Sequence, residues 1–389
     1  MTLQGFLLTI FWGSIFVIAY CFIGFPLLLV LRSVIAPPPK IKTQHNYFPR
    51  ISIIIAAYNE AESIISKIDN ILASKYPHDQ LEIIVASDGS TDATNNLVTN
   101  FNSPLVRLLT LPRQGKNLAI NEAVKVTKGE ILVFTDADSL LESDSLQHLI
   151  APFADPTIGG VGGDYRHTSL KIKQQGERAY WNYDRIIKRL QSASGNVSGA
   201  AGSLYAIRST LFKSVPLSVT DDFFSAMQVV SSHHRLIFEP RAVSRGPVAS
   251  SPKAEYKRKV RIMTRGLRGI WLMRHLLNPG SYGFFSVQLF THKVLRRLLA
   301  IPLILLLCSA PFLWNAGWLY QAATVLQFTF HALAMIGLLL QNTKIGQTKL
   351  FSMPYHFDLV YYASLVALSN IVRGNQYATW GPERVPGST

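Results

Sequence analysis

The chain has 389 residues, 48% hydrophobic and only 16% charged, a charge content low for a purely soluble protein and a length that allows one soluble domain plus several membrane spans. The formal net charge of +15 fits a solvated basic surface, anionic lipid headgroups or nucleic acid, and with apolar runs present and no nucleic-acid motif the reading is lipid, with no nucleic-acid partner. The two cysteines, Cys21 and Cys308, sit inside apolar runs as small buried hydrophobes, and no CxxC or His/Cys cluster marks a zinc site.

The run from Phe6 to Ile35 carries one charge, Arg32, and is long enough to span a bilayer. A signal peptide is the rival reading, against which no Lys or Arg precedes the run. Arg32 lies near its end and Lys40 and Lys42 follow it, so the positive-inside rule puts the following segment in the cytoplasm, most simply beneath a cell (inner) membrane. Pro37, Pro38 and Pro39 then make a stiff linker.

Beyond the linker, β-rich runs alternate with helical stretches. Strands are expected at Ile51–Ala57, Leu81–Ser87, Leu105–Leu111 and Glu130–Thr135, and helices at Glu60–Ala73, Asp92–Asn102 and Lys116–Val126. Near-continuous apolar strands separated by helices predict an α/β domain with a mostly parallel sheet covered on both faces, which binds ligands at the carboxyl ends of its strands. A helix follows over Gly176–Leu190 and a short strand over Ser203–Ile207. Pro252–His275 is strongly basic with interleaved apolar residues, and reads as a solvated helix or as one lying on the inner leaflet. Leu298–Trp314 and Trp318–Leu340 read as further spans, while Phe357–Val372, with Asp358 and Asn370, either spans or lies at the interface.

The polar clusters fall where such a sheet would do chemistry. Thr135-Asp136-Ala137-Asp138 closes the fourth strand, and two carboxylates two residues apart can hold one Mg²⁺ or Mn²⁺ that keeps open positions for phosphate oxygens. Acidic pairs are also common in plain turns. Asp88-Gly89-Ser90-Thr91-Asp92 closes the second strand, where Asp88 can accept from a nucleobase N–H or the segment can simply cap a helix. The same two readings apply to Ala57-Tyr58-Asn59-Glu60 after the first strand. Lys116 can offset phosphate charge or be a solvated lysine at a helix start. In Thr220-Asp221-Asp222-Phe223 one carboxylate would suit a general base, with helix capping as the rival.

In this order AAYNE, DGSTD, QGKNLAIN, TDADS, GAAGSLYAIR, TDDF, the basic RKVRI segment and the apolar runs resemble the inverting family 2 glycosyltransferases, above all the membrane-integrated branch with cellulose, hyaluronan and poly-N-acetylglucosamine synthases. The resemblance covers about residues 50–270. It implies a GT-A fold with added transmembrane helices, a UDP-sugar donor, a glycan or lipid acceptor, and transfer with inversion. Donor contacts would fall on Ala57, Tyr58, Glu60, Asp88, Lys116, Asp136 and Arg261, and the metal on Asp138 with Asp136. Asp222 would be the catalytic base with Asp221 before it, and Gly199, Gly202 and Ser203 would line the acceptor side.

Processive members carry Q-x-x-R-W, whereas here only Arg261 keeps its type: Arg258 stands for the Gln and Ile262 for the Trp. That departure puts processivity in question. The expected layout is a membrane helix over 1–36, a linker over 37–49, the transferase domain over 50–250, a basic interfacial region over 251–293, membrane helices over 294–375 and a tail over 376–389. The expected product is a polysaccharide or exported glycan, with an export or regulatory partner; a single addition to a lipid acceptor and a non-enzymatic scaffold or nucleotide sensor are the alternatives.

Overall fold

The computed structural model describes residues 2–44, 46–167, 175–247 and 252–375; the tail lies outside the described residues. At its centre is an eight-stranded sheet in the order β3-β2-β1-β4-β7-β6-β8-β5. Here β1 is Ile51–Ala57, β2 Leu81–Asp88, β3 Val106–Leu111, β4 Ile131–Asp136, β5 Leu140–Leu141, β6 Ile158–His167, β7 Leu204–Arg208 and β8 Arg235–Gly246. Every residue of β1 is buried, because helices cover both faces and the β-branched run has no solvent side.

β3, β2, β1 and β4 are all parallel, and Ala56 lies opposite both Ala86 and Asp136. Their carboxyl ends therefore finish at one level. At β4 the direction flips: β7 runs antiparallel, with Thr135 opposite Leu204. Beyond this seam the sheet is mixed, with β6 antiparallel to β7, parallel to β8, and β5 antiparallel to β8. Six of the eight strands thus run in one direction, as the mostly parallel expectation had it, and only β7 and β5 oppose them. β6 was not predicted because its IGGVGGD stretch has few side chains to form a pattern. Glycine is required there: a Cβ on Gly159 would lie 2.5 Å from Cβ of His234.

Two expected helices are shorter than predicted. The first starts at Ile64, not Glu60, because Asn59 takes a positive φ of 54° and residues 60–63 form a turn. The second is trimmed to Thr94–Thr99, where Asp92 Oδ1 accepts from the Thr94 backbone N–H at 3.0 Å.

An N-terminal helix, Leu3–Ile35, and Trp318–Leu339 are each long and apolar enough to cross a membrane; a third candidate is the pair Phe284–Leu298 and Ala300–Phe312, bent by 48°. Phe16, Leu27, Leu326 and Leu339 are all exposed on these helices. So is Cys308, contrary to the expectation that both cysteines are buried. Lys349–Val372 is too polar to pass as a span, and its Asp358 pairs with His331 of Trp318–Leu339 at 2.9 Å. The N-terminal helix turns π-helical over Tyr20–Gly24, and Phe284–Leu298 does so over Phe290–Leu295.

The basic helix is Pro252–Leu272. Neither sequence reading describes it fully. Ile262, Trp271 and Leu272 are exposed, but Val260, Thr264, Arg265 and Ile270 are buried against the rest of the chain. Tyr256 stacks on Tyr362 of Lys349–Val372 with ring centroids 5.8 Å apart.

Candidate active site

The turns after β1 and β2 clasp each other. The Asn59 backbone N–H donates to Ser90 Oγ at 3.1 Å, and Thr91 N–H donates to Asn59 Oδ1 at 2.8 Å. Glu60 N–H donates to Thr94 Oγ1 at 2.8 Å, and the buried Glu60 carboxylate accepts from Ser63 Oγ at 2.6 Å. Glu60 is thus a member of the turn that follows β1.

Asp88 ends β2, is 1% exposed, and accepts from the backbone N–H groups of Gln114 at 2.8 Å and Gly115 at 2.9 Å and from the Arg113 guanidinium. The same guanidinium lies over the Tyr58 ring, 3.4 Å from its centroid. Gly89 permits this approach: its φ is +69° and a Cβ there would meet the Arg113 backbone N at 2.7 Å. Protein donors thus fill Asp88 in this structure, with Arg113 between it and Tyr58.

The Asp88-bound turn delivers Lys116 to the centre. Its Nζ lies 2.8 Å from Asp136 Oδ1 and 3.4 Å from Asp221 Oδ2. Burial alone would lower the lysine's pKa, but Asp136 and Asp221 outweigh it and push the ammonium above its usual range. Asp136, raised by burial and by Asp138 against the pull of Lys116, stands above the ordinary carboxylate range. Asp221 and Asp222 open the helix Asp221–Ser231, which Thr220 precedes as N-cap residue. Asp221 Oδ2 is buried without a hydrogen bond. Burial first and Asp221 second raise Asp222, whose Oδ2 would lie 3.4 Å from a Cβ on Gly202.

The structure therefore gathers Lys116, Asp136, Asp221, Asp222 and Gly202 at one point, with Asp138 two residues along the same turn. Ser203 lies deeper: its hydroxyl accepts from Ser244 Oγ at 3.0 Å and its carbonyl accepts from Thr135 Oγ1 at 2.8 Å. Arg261 sits one helical turn before Arg265, close enough that its charge acts on Arg265.

Residues 52–215 match the model of the family described as glycosyl transferase family 2. Residues 52–215, under half of the chain, thus resemble a family 2 glycosyltransferase domain. A poly-beta-1,6-N-acetyl-D-glucosamine synthase of Staphylococcus epidermidis is 27% identical over 244 residues, 59% of each chain. That of Staphylococcus aureus strain COL is 28% identical over 225 residues, 54% of this chain and 53% of that one. The matched stretch thus spans under two thirds of these relatives' length. A mannosyltransferase from Pyrobaculum calidifontis, solved in complex with GDP-Man and Mn²⁺, shares the fold at a TM-score of 0.72 and 24% identity, covering 93% of this chain and 99% of that one. The fold is thus that of a nucleotide-sugar transferase of GT-A architecture, as the motif order implied.

Three buried groups that support this cluster were not picked out from the sequence. Lys67, 0% exposed, donates from Nζ to Thr135 Oγ1 at 2.7 Å and to the Ser139 carbonyl at 2.5 Å, under the Asp136–Asp138 turn. Burial lowers its pKa to about 7, against the opposing pull of Asp136 and Asp138. Asn117 donates to the carbonyls of Pro216 at 2.5 Å and Val219 at 2.9 Å. Arg265 donates from Nε to Val219 O at 2.9 Å and from Nη2 to Asn117 Oδ1 at 3.1 Å and Leu217 O at 3.2 Å. The loop before Asp221 is thus stapled to two helices. Arg265→Met is expected to cost about 3 kcal/mol, since it leaves buried carbonyls unpaired. It should lower kcat more than it changes KM for the donor, and Arg265→Lys should recover part of the loss; equal stability by thermal denaturation would contradict this.

Asp222 also sets a pH prediction. A general base must be ionised, so a raised pKa places the acid limb of kcat/KM above the ordinary carboxylate range. Asp221→Asn removes the neighbouring negative charge, lowers the Asp222 pKa and should move that limb to lower pH, measured as a pH–rate profile. A limb that stays put would mean that another group titrates.

Proposed function

We propose that the chain transfers a sugar from a UDP-sugar to a growing polysaccharide or exported glycan, with inversion, at the cytoplasmic face of a cell (inner) membrane. The observation that carries the proposal is the cluster of Lys116, Asp136 and Asp221 at the strand ends, with Asp222 facing Gly202 across it. Asp222 takes the proton from the acceptor hydroxyl as the oxygen attacks the anomeric carbon, and Lys116 counters charge on the departing diphosphate. Tyr58, Ala57 and Asp88 hold the nucleoside, with Arg113 yielding one of its contacts so that Asp88 can accept from the base. Arg261 lies on the diphosphate side.

No group of three or more metal-ligating side chains occurs among the described residues. The donor set still fits Mg²⁺ or Mn²⁺, which are commonly held by one or two carboxylates, waters and substrate phosphates. Asp136 has a side chain 37% exposed, and Asp138 follows it on the same turn. When bound, the cation would neutralise charge on the diphosphate.

The proposed layout keeps a membrane helix over 1–36, a linker over 37–49, the catalytic domain over 50–250, the basic interfacial region over 251–293 and membrane helices from 294. Exposed Ile262, Trp271 and Leu272 support docking of the basic helix on lipid. Single addition to a lipid acceptor is the second reading. It is favoured because Ile262, at the position of the processive tryptophan, is 45% exposed on the basic helix.

The test is UDP release by the purified chain in lipid, screened over UDP-sugars with Mg²⁺ or Mn²⁺. Turnover with one donor that stops on chelation is the expected result, and Asp138→Asn should lower it by about a hundredfold or more. Metal-independent turnover would remove the cation from the proposal, and failure to bind any UDP-sugar would remove the donor.

A further inference from the structure

The π-helical turn Phe290–Leu295 lies against the N-terminal helix and the helix Gln175–Ala193. Thr291 and Tyr20 share a hydroxyl contact at 3.1 Å, which joins the π-helical segments Tyr20–Gly24 and Phe290–Leu295. His292 is held by Ser198 Oγ at 2.7 Å and Gln191 Nε2 at 3.3 Å through Nδ1, and lies near Arg296 Nη1 at 3.2 Å through Nε2. π-Helical turns in α-helices occur often at functional sites, where the extra residue re-aims a side chain.

The residue so aimed is Lys293. Its Nζ would lie 3.4 Å from a Cβ on Gly199, which has none, and whose φ of +152° is one that L side chains rarely adopt. Lys293 is partly buried, and among the described residues it makes no hydrogen bond or ion pair. Its surroundings are short of negative charge. Asp184 already pairs with Lys188 at 2.9 Å and lies 3.7 Å from His292 Nε2, while Arg296 and Arg297 add two more cations on the same helix. The next carboxylate is Asp222, beyond the glycine loop, facing Gly202. The loop from Gly199 to Gly202 thus separates a cation on the membrane-helix side from the proposed base on the donor side.

We propose that Lys293 is an anion site for a phosphate carried by the acceptor, which makes the acceptor a phosphate-bearing lipid presented from the membrane helices. This rests on the glycosyl-transfer reading, of which it selects the lipid-acceptor form. A neutral glycan end needs no cation beside the base. A phosphate there supplies the missing counter-charge, and the bare glycine backbone leaves it room to approach.

The test uses the full chain in uncharged detergent, with farnesyl phosphate, farnesol and inorganic phosphate as probes and calorimetric titration as the readout. UDP affinity with Mn²⁺ is measured in parallel. The wild type should bind farnesyl phosphate but not farnesol. Lys293→Met and Lys293→Gln should each weaken that binding by about tenfold or more, and Lys293→Arg should keep it. Farnesyl phosphate binding equally well to wild type and to the neutral variants overturns the inference. So does equal binding of farnesol, or binding of inorganic phosphate alone. UDP binding decides the donor reading separately: a chain that binds UDP but not farnesyl phosphate loses only this inference, and one that binds no UDP loses the donor reading itself.

Discussion

Asp222→Asn is expected to lower sugar transfer by about three orders of magnitude while UDP affinity stays within about twofold. Asparagine keeps the shape and the place at the start of Asp221–Ser231 but cannot take a proton. The Asp222 carboxylate accepts from the Phe223 backbone N–H at 2.7 Å and from the Thr220 hydroxyl, bonds that an asparagine oxygen can keep, so the fold loses little. The split matters more than the size of the loss. Lys116 salt-bridges Asp136 and Asp221 but not Asp222, so diphosphate binding should be almost untouched. If UDP affinity falls in step with turnover, Asp222 belongs to the donor site and the base must be sought elsewhere.

Lys67→Ala is expected to destabilise the chain by about 3–5 kcal/mol, among the largest single-residue losses available. The change empties a packed site between Ile64, Ile68 and Ile71, and strips Thr135 and Ser139 of their donor. Lys67→Met restores most of the volume without the charge, so the difference between the two variants isolates the ammonium. The pH dependence has a definite sign. In the unfolded chain a lysine keeps its proton to about pH 10, whereas the native Lys67 releases it near about 7. Between those values the unfolded state binds more protons, so this lysine makes stability rise with pH. Denaturant titrations across that window should show the rise in wild type and its loss in Lys67→Met. A parallel pair of curves would mean that Lys67 has the same pKa in the folded and the unfolded chain.

Most of the proposed donor half was legible from the sequence as strands and turns. The strands β1 to β4 are apolar runs of four to eight residues with acidic or glycine-containing turns at their ends, and local pattern alone finds them. Lys67 could have been found too. It sits on the same helical face as Ile64, Ile68 and Ile71, and a lysine on an apolar stripe marks a buried cation. Arg265 was harder, since it is one of many basic residues in its helix, and only the fold shows which of them turns inward to the loop before Asp221. The acceptor half was mostly hidden. β6 has glycines where a pattern would be, β8 pairs with segments far away in the chain, and the approach of Lys293 to Gly199 joins residues on separate elements. Nothing local records such contacts.

The seam between β4 and β7 has a further consequence. Asp136 ends one of these strands and Gly202 and Ser203 lead into the other, and the two are held in step by backbone pairing from Ile131 opposite Arg208 to Thr135 opposite Leu204. Side chains alternate along a strand, so a slip of one residue would turn the β7 side chains to the wrong face, and the nearest allowed slip is two residues, about 7 Å. That is longer than any in-line displacement can bridge. The register of this one antiparallel pair acts as a ruler: it sets how far apart two reacting molecules stand, and it offers only settings too coarse to be tuned by small shifts.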